Sequence, residues 1–241
     1  MADIAKSKII IVGGSSGMGL ALARRCLVSG AEVIIVGRSE ARLKRAGEAL
    51  QNPSGLSAVA ADIAREDQVA DLFKRIGRLD HIVSTAADIE GAYELLPSVD
   101  LKAAQRSSKA NSTGCCSPSM ARRSFRPTVP SPSPRASPPI GRPRGSVVAA
   151  VNAALEGLVR ALAVELAPVR VNAVSPGWVD TPIWSFVAGD KKDETLDAMA
   201  RRLPVGRVGQ PDDIADAIAF LMGNGFTTGT VLHVEGGHRL I

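Results

Sequence analysis

The stretch KIIIVGGSSGMG, residues 8–19, constrains this chain more than any other. Residues 8–12 are a short apolar, β-branched run that stops at two glycines, which reads as a buried strand. Met18 to Ser29 then reads as a helix, with Gly30 placed to cap its C-terminus. A strand feeding a helix through Gly13-Gly14-Ser15-Ser16-Gly17-Met18-Gly19 suits an anionic ligand. Glycines permit the tight turn, let backbone approach a pyrophosphate and let helix pack close on strand, while helix N–H groups face the anion. A plain structural turn is the competing reading. The position between the first strand and the first helix favours the functional one.

The same rhythm continues. EVIIVGR is a second buried strand and SEARLKRAGEAL an amphipathic helix; LSAVAAD and REDQVADLFKRI repeat the unit, and LDHIVSTAA is a fourth strand. After residue 146 come a long helix (SVVAAVNAALEGLVRALAVELA), a strand (VRVNAV), a helix with Pro211 near its first turn (PDDIADAIAFLMGN) and a last strand, TVLHVEGG. Strands alternating with helices, with no hairpin signals between them, predict a doubly wound parallel α/β sheet, Rossmann-like. The whole chain, 1–241, is expected to be one domain.

Arg38 follows the second strand, where an acidic residue would bind an adenosine ribose, and Gly37 takes the acid's place. A carboxylate there would repel a 2′-phosphate, whereas a guanidinium can bind it bidentately, so NADP(H) is preferred over NAD(H). A solvated surface arginine is the bland alternative. Asp62, ending the third strand, could accept from an adenine amine or could cap the helix that begins near AREDQ.

These residues together resemble the short-chain dehydrogenase/reductase family. GGSSGMG matches its glycine motif, AADI its adenine-contacting Asp, PGWVDTP at 176–182 its nicotinamide-side loop, and GRVGQPDDIADAIAFL with TGTVLHVEGG its C-terminal third. The resemblance covers residues 7–105 and 146–238 and implies a nicotinamide cofactor, a small-molecule carbonyl or alcohol substrate and a homo-oligomer, dimer or tetramer. The cofactor-binding set it implies is Gly13, Ser15, Ser16, Gly17, Met18, Gly19, Arg38, Asp62, Ile63, Ala86, Ala87, Asn152, Pro176, Gly177, Val179 and Thr181.

The family's catalytic pattern is absent. Its enzymes use a Tyr-x-x-x-Lys pair on the long helix, the tyrosine as general acid/base and the lysine lowering its pKa and holding the nicotinamide ribose. Aligned on AALEGL, the tyrosine position is Val148 and the lysine position Asn152. The only tyrosine, Tyr93, is followed four residues on by Pro97. The family's N-N-A-G strand end is here Ser84-Thr85-Ala86-Ala87, and its serine strand has no counterpart. No catalytic residue is assigned, and catalysis is expected to be impaired. A non-catalytic dinucleotide-binding sensor or scaffold is an alternative.

Residues 107–145 break the rhythm with eight of the chain's 15 prolines. Proline removes a ladder donor and fixes φ, so no central strand or long helix is expected there, and residues 112–144 are expected to be mobile. Shifted one base early, the coding possibilities of residues 128–140 permit GSITFTSGIAA, a strand with the family's serine turn, and those of 108–116 permit ESKFYGLL. Residues from about 107 to 144 are therefore read as a frame-shifted translation. The alternative is a genuine disordered insertion that binds an anionic partner through residues 102–144.

Charge bears on that alternative. From Leu101 to Gly145 there are nine Lys and Arg and no acid; the chain's net +5 less these nine leaves −4 elsewhere. Basicity belongs to one stretch, so nucleic acid is not the expected partner. No apolar run is long enough for a membrane span, and Cys26, Cys115 and Cys116 suit neither a disulfide framework nor zinc, so a cytoplasmic protein without metal is expected. His81, His233 and His238 are read as structural. Asp190, Lys191, Lys192, Asp193 and Glu194, in the loop after PGWVDTP, are read as a solvated face. Trp178 and Trp184 flank that loop, either lining a substrate pocket or simply packing.

Overall fold

The short β-branched runs of the N-terminal half lie side by side as one parallel sheet. The structure, a computed structural model, describes residues 4–86, 125–127 and 146–241, with backbone alone at 125–127 and 146–148. The strands are β1 (Lys8–Val12), β2 (Glu32–Gly37), β3 (Leu56–Ala60), β4 (His81–Ser84), β5 (Phe125–Pro127), β6 (Ala173–Pro176) and β7 (Val231–Val234). The helices are α1 (Gly17–Val28), α2 (Glu40–Ala49), α3 (Glu66–Ile76), α4 (Ser146–Glu165), α5 (Ile183–Ala188), α6 (Lys192–Ala200) and α7 (Pro211–Gly223).

One sheet runs β3-β2-β1-β4-β5 and a second parallel pair joins β6 to β7. Val12 pairs with Val36 on one side and Ser84 on the other, so the carboxyl ends of β1, β2 and β4 share one edge. Strand order turns at β1, which leaves a crevice beside it for the loop that comes next in the chain.

Alternation along β1 builds both layers. Ile9 and Ile11 pack with Ala21, Leu22 and Cys26 of α1 and Ile214 and Ile218 of α7, whereas Ile10 and Val12 pack with Val69 and Leu72 of α3 and Leu155 and Val159 of α4. A strand buried on both faces cannot alternate apolar with polar, which is why KIIIV is a continuous run. Each fully buried isoleucine contributes roughly 1.5–3 kcal/mol.

Helix ends follow local chemistry. Gly30, at φ +81°, donates to Leu27 O while Ala31 donates to Cys26 O, closing α1 with a Schellman turn. Ser39 Oγ accepts from Arg42 N at the start of α2. The Arg170 guanidinium donates to the Leu221 and Met222 carbonyls at the end of α7 and to the Thr227 carbonyl beyond it, and its burial lowers its pKa.

Two sequence expectations are corrected, and one short strand is added. Between 107 and 145 a three-residue strand, β5, lies at the end of the sheet and pairs with β4, Ile82 opposite Phe125 and Ser84 opposite Pro127. Phe125 and Arg126 carry backbone donors, and β5 stands at the end of the sheet, the place where a strand tolerates a proline. The segment after PGWVDTP is α5, a 3₁₀ turn and α6 rather than a loop. The strand read from VRVNAV begins only at Ala173, because the side chains of Arg170 and Asn172 tie the residues before it to the α7 end and to Thr227 and Thr230. Apart from β5, the expectations of mobility and of a frame-shift for residues about 107–144 lie outside the described residues, as does Tyr93.

Candidate cofactor and active site

The glycine loop is pressed onto the end of β4 so closely that side chains are excluded. A Cβ on Gly13 would stand 2.7 Å from Ala86 N and 2.8 Å from Thr85 Oγ1, and one on Gly14 2.6 Å from Ile35 Cγ2. A Cβ on Gly19 would collide with the Gly13 carbonyl and with Thr85 Oγ1. Gly13 N donates to Val36 O and Thr85 N to Val12 O, both at 2.8 Å, while Thr85 Oγ1 donates to Val12 O at 3.1 Å. Helix α1 therefore starts against the carboxyl ends of β1 and β4. Ser16 stands at its N-cap without a side-chain cap, and its first turn holds no acid, so its N–H groups and dipole favour an external anion.

Other predicted residues arrive at the same edge. Ser15 Oγ lies 3.5 Å from where a Gly37 Cβ would stand, so Arg38, exposed, begins the next loop beside it. Asp62 and Ile63 follow β3, Ile63 buried and Asp62 half-buried. Asp62 Oδ1 accepts from Ala64 N at 3.0 Å, and its own N–H donates to Gln68 Oε1. It makes an Asx turn, and the N-cap of α3 is Arg65, which corrects the capping alternative.

The loop after β6 closes on the first loop. A Cβ on Gly17 would lie 3.6 Å from Thr181 Cβ and Cγ2. Pro176 ends β6 buried, Gly177 abuts Glu235 too closely for a side chain, and Val179 bridges to Gly209. Asp180 binds Lys192 Nζ at 2.8 Å, an interaction that raises the Lys192 pKa, so this lysine holds the loop instead of only facing solvent. Trp178 and Trp184 stack at 4.5 Å, and the Trp184 indole donates to Val179 O at 2.8 Å. Trp178 also lines a cavity of about 160 Å³ with Leu203, Val205, Arg207 and Ile214.

Asn152 sits on α4 at 5% exposure, and its Nδ2 has no hydrogen-bond partner among the described residues. A buried amide donor without a partner costs about 1–3 kcal/mol, so this one suits an incoming acceptor. Val148 lies one turn earlier on the same helix. Ala87 lies outside the described residues. Cys26 is buried, and burial pushes its thiol up to about 12, so it is an inert packing group. Among the described residues no cluster could hold a metal, and no helix is long and apolar enough to cross a membrane.

The sequence reading misses Thr85, although its hydroxyl fills the gap between Gly13 and Gly19. The signal available is its position, the first residue beyond a buried strand whose end faces a glycine loop. The contribution of Lys192 has no such signal, because its partner Asp180 lies 12 residues away across a turn of unknown path.

Fold and site together define the Rossmann-like class. Residues 12–239 match a family model described as enoyl-(acyl carrier protein) reductase. The chain is 31% identical over 256 residues to the short-chain dehydrogenase/reductase ATR9 of Stachybotrys chlorohalonatus, covering 98% of each. It superposes on the MalC reductase/Diels-Alderase of Malbranchea aurantiaca with a TM-score of 0.86 and 30% identity, over 100% of this chain and 99% of that one. A short chain oxidoreductase of Pseudomonas aeruginosa PAO1, in an NADPH-bound structure and described as containing an atypical catalytic center, matches at TM-score 0.84 and 27% identity over 98% of each. The chain belongs to the short-chain dehydrogenase/reductase family of oxidoreductases.

Proposed function

We propose that this chain binds NADP(H), in preference to NAD(H), and acts on a small-molecule carbonyl or alcohol as an oxidoreductase whose catalysis is impaired. A homo-oligomer in the cytoplasm belongs to the same proposal. The observation that carries it is the glycine loop, where Gly13, Gly14 and Gly19 leave no room for a Cβ and the α1 N-terminus carries no competing acid. Gly13 to Gly19 would hold the pyrophosphate, Ser15 and Arg38 the 2′-phosphate, Asp62 and Ile63 the adenine. Ala86 and Ala87 would flank the nicotinamide ribose, Asn152 Nδ2 would donate to it, and Pro176, Gly177, Val179 and Thr181 would face the nicotinamide. The bound cofactor supplies hydride transfer.

The residues of α4 limit proton transfer at this site. Valine at 148 cannot hand a proton to a developing alkoxide, and Asn152 carries no charge to lower a neighbour's pKa. Loss of the general acid alone lowers the rate by about 10²–10⁴. The Pseudomonas aeruginosa protein, described as containing an atypical catalytic center, supports the reading that this fold carries catalytic centers other than the usual one.

The test is an NADPH fluorescence titration of the wild type and of Gly19→Ala, with far-UV circular dichroism as a folding control. Saturable binding that the substitution removes from a folded protein is the expected result. Equal binding by both proteins would refute the assignment of the loop.

A further inference from the structure

The C-terminal turn touches the loop that bears Thr181, and the path between them is short. Residues 238–240 form a 3₁₀ turn that starts at Gly237, φ +86°. The His238 side chain is 2% exposed and meets Trp178 edge-on, with ring centroids 6.3 Å apart and planes at 87°. Trp178 stacks on Trp184, and the Trp184 indole donates to Val179 O, two residues before Thr181. Glu235 anchors the turn: its carbonyl accepts from His238 N, and its carboxylate accepts from Arg239 N at 2.8 Å and Arg239 Nε at 3.3 Å. The Glu235 Cα and Cβ stand 2.7 Å from where a Gly177 Cβ would lie, so anchor and loop share one wall.

We infer that His238 is a positioning residue: through the Trp178–Trp184 stack it seats the 176–182 loop so that Thr181 stays against Gly17. The inference rests on the NADP(H) reading above. An edge-to-face pair favours one ring arrangement over others, so losing the imidazole releases the stack to tilt and the loop to move. Other contacts keep the loop folded without it, since Gly209 N donates to Trp178 O at 2.7 Å and Asp180 N to Gly209 O at 2.9 Å. The expected effect is therefore on the loop's seating and not on global folding.

The chain has only two tryptophans, and both are in this stack, so the tryptophan exciton signal in circular dichroism reports on it alone. That signal and the NADPH Kd are measured for wild type, His238→Ala, His238→Phe, Arg239→Ala and Arg38→Ala. His238→Ala is expected to weaken the tryptophan signal and raise the NADPH Kd about two- to tenfold. His238→Phe, which keeps an aromatic edge, is expected to restore both. Arg239→Ala is a milder second variant should His238→Ala fail to fold, and is expected to move both readouts in the same direction. Arg38→Ala is expected to raise Kd with the tryptophan signal intact. A changed tryptophan signal with an unchanged Kd would overturn the positioning role, as would no change in either. Wild-type protein that binds neither NADPH nor NADH would instead refute the cofactor reading and this inference together.

Discussion

The Cβ that Gly17 lacks would lie 3.6 Å from Thr181 Cβ, so two loops 164 residues apart in sequence meet at ordinary contact distance. One follows β1 and opens α1; the other follows β6. Parallel strands put both at the carboxyl edge, where open α/β sheets bind their ligands.

Gly17→Ala is expected to destabilise by about 1–2 kcal/mol, because its φ of +52° is left-handed and a Cβ there meets the following carbonyl. Thr181 itself leaves room for the methyl, so strain and not collision sets the size. Chemical denaturation at constant m-value measures this. A variant as stable as the wild type would contradict the left-handed assignment.

Asp213 sets a pH-dependent contribution to stability. Its carboxylate accepts from Arg207 at 2.7 and 2.8 Å and from Gln210 N at 2.7 Å, the last closing the capping box of α7. The Arg207 guanidinium, chiefly by hydrogen bonding, holds its pKa below the ordinary 3.8. A pKa lowered on folding contributes stability above the unfolded value, and that stability is lost as pH falls through the folded one. Asp213→Asn is therefore expected to lower Tm by a few degrees at pH 7. The gap should narrow only below pH 3.8. Equal melting temperatures at neutral pH would contradict the assigned pair and cap.

Catalysis should be weak. NADPH-dependent reduction of a carbonyl panel is expected to run about 10²–10⁴ below an enzyme with an intact acid, and Asn152→Ala is expected to raise the NADPH Kd by removing a ribose donor. Rapid turnover unaffected by Asn152→Ala would contradict both roles.

The sequence reads most clearly where burial and period agree. The run KIIIV is β1 from end to end, and Gly30 closes α1 as its position implies. The glycine loop is legible because its chemistry is local, seven consecutive residues between strand and helix. What is not legible depends on contacts distant in sequence. Trp178 both lines a cavity and stacks on Trp184, and the stack depends on the Trp184 indole reaching Val179 O, a contact no residue pattern encodes. Likewise β5 needs the edge of β4 beside it, since three residues before and within a proline-rich stretch carry no strand signal of their own.

The central claim is NADP(H) binding through the edge formed by the glycine loop and Arg38, and a paired fluorescence titration with NADPH and NADH tests it most directly. NADPH is expected to bind the wild type more tightly than NADH, and Arg38→Ala to bring the two affinities together. Equal affinities in the wild type, or saturable binding of neither cofactor, would contradict the account.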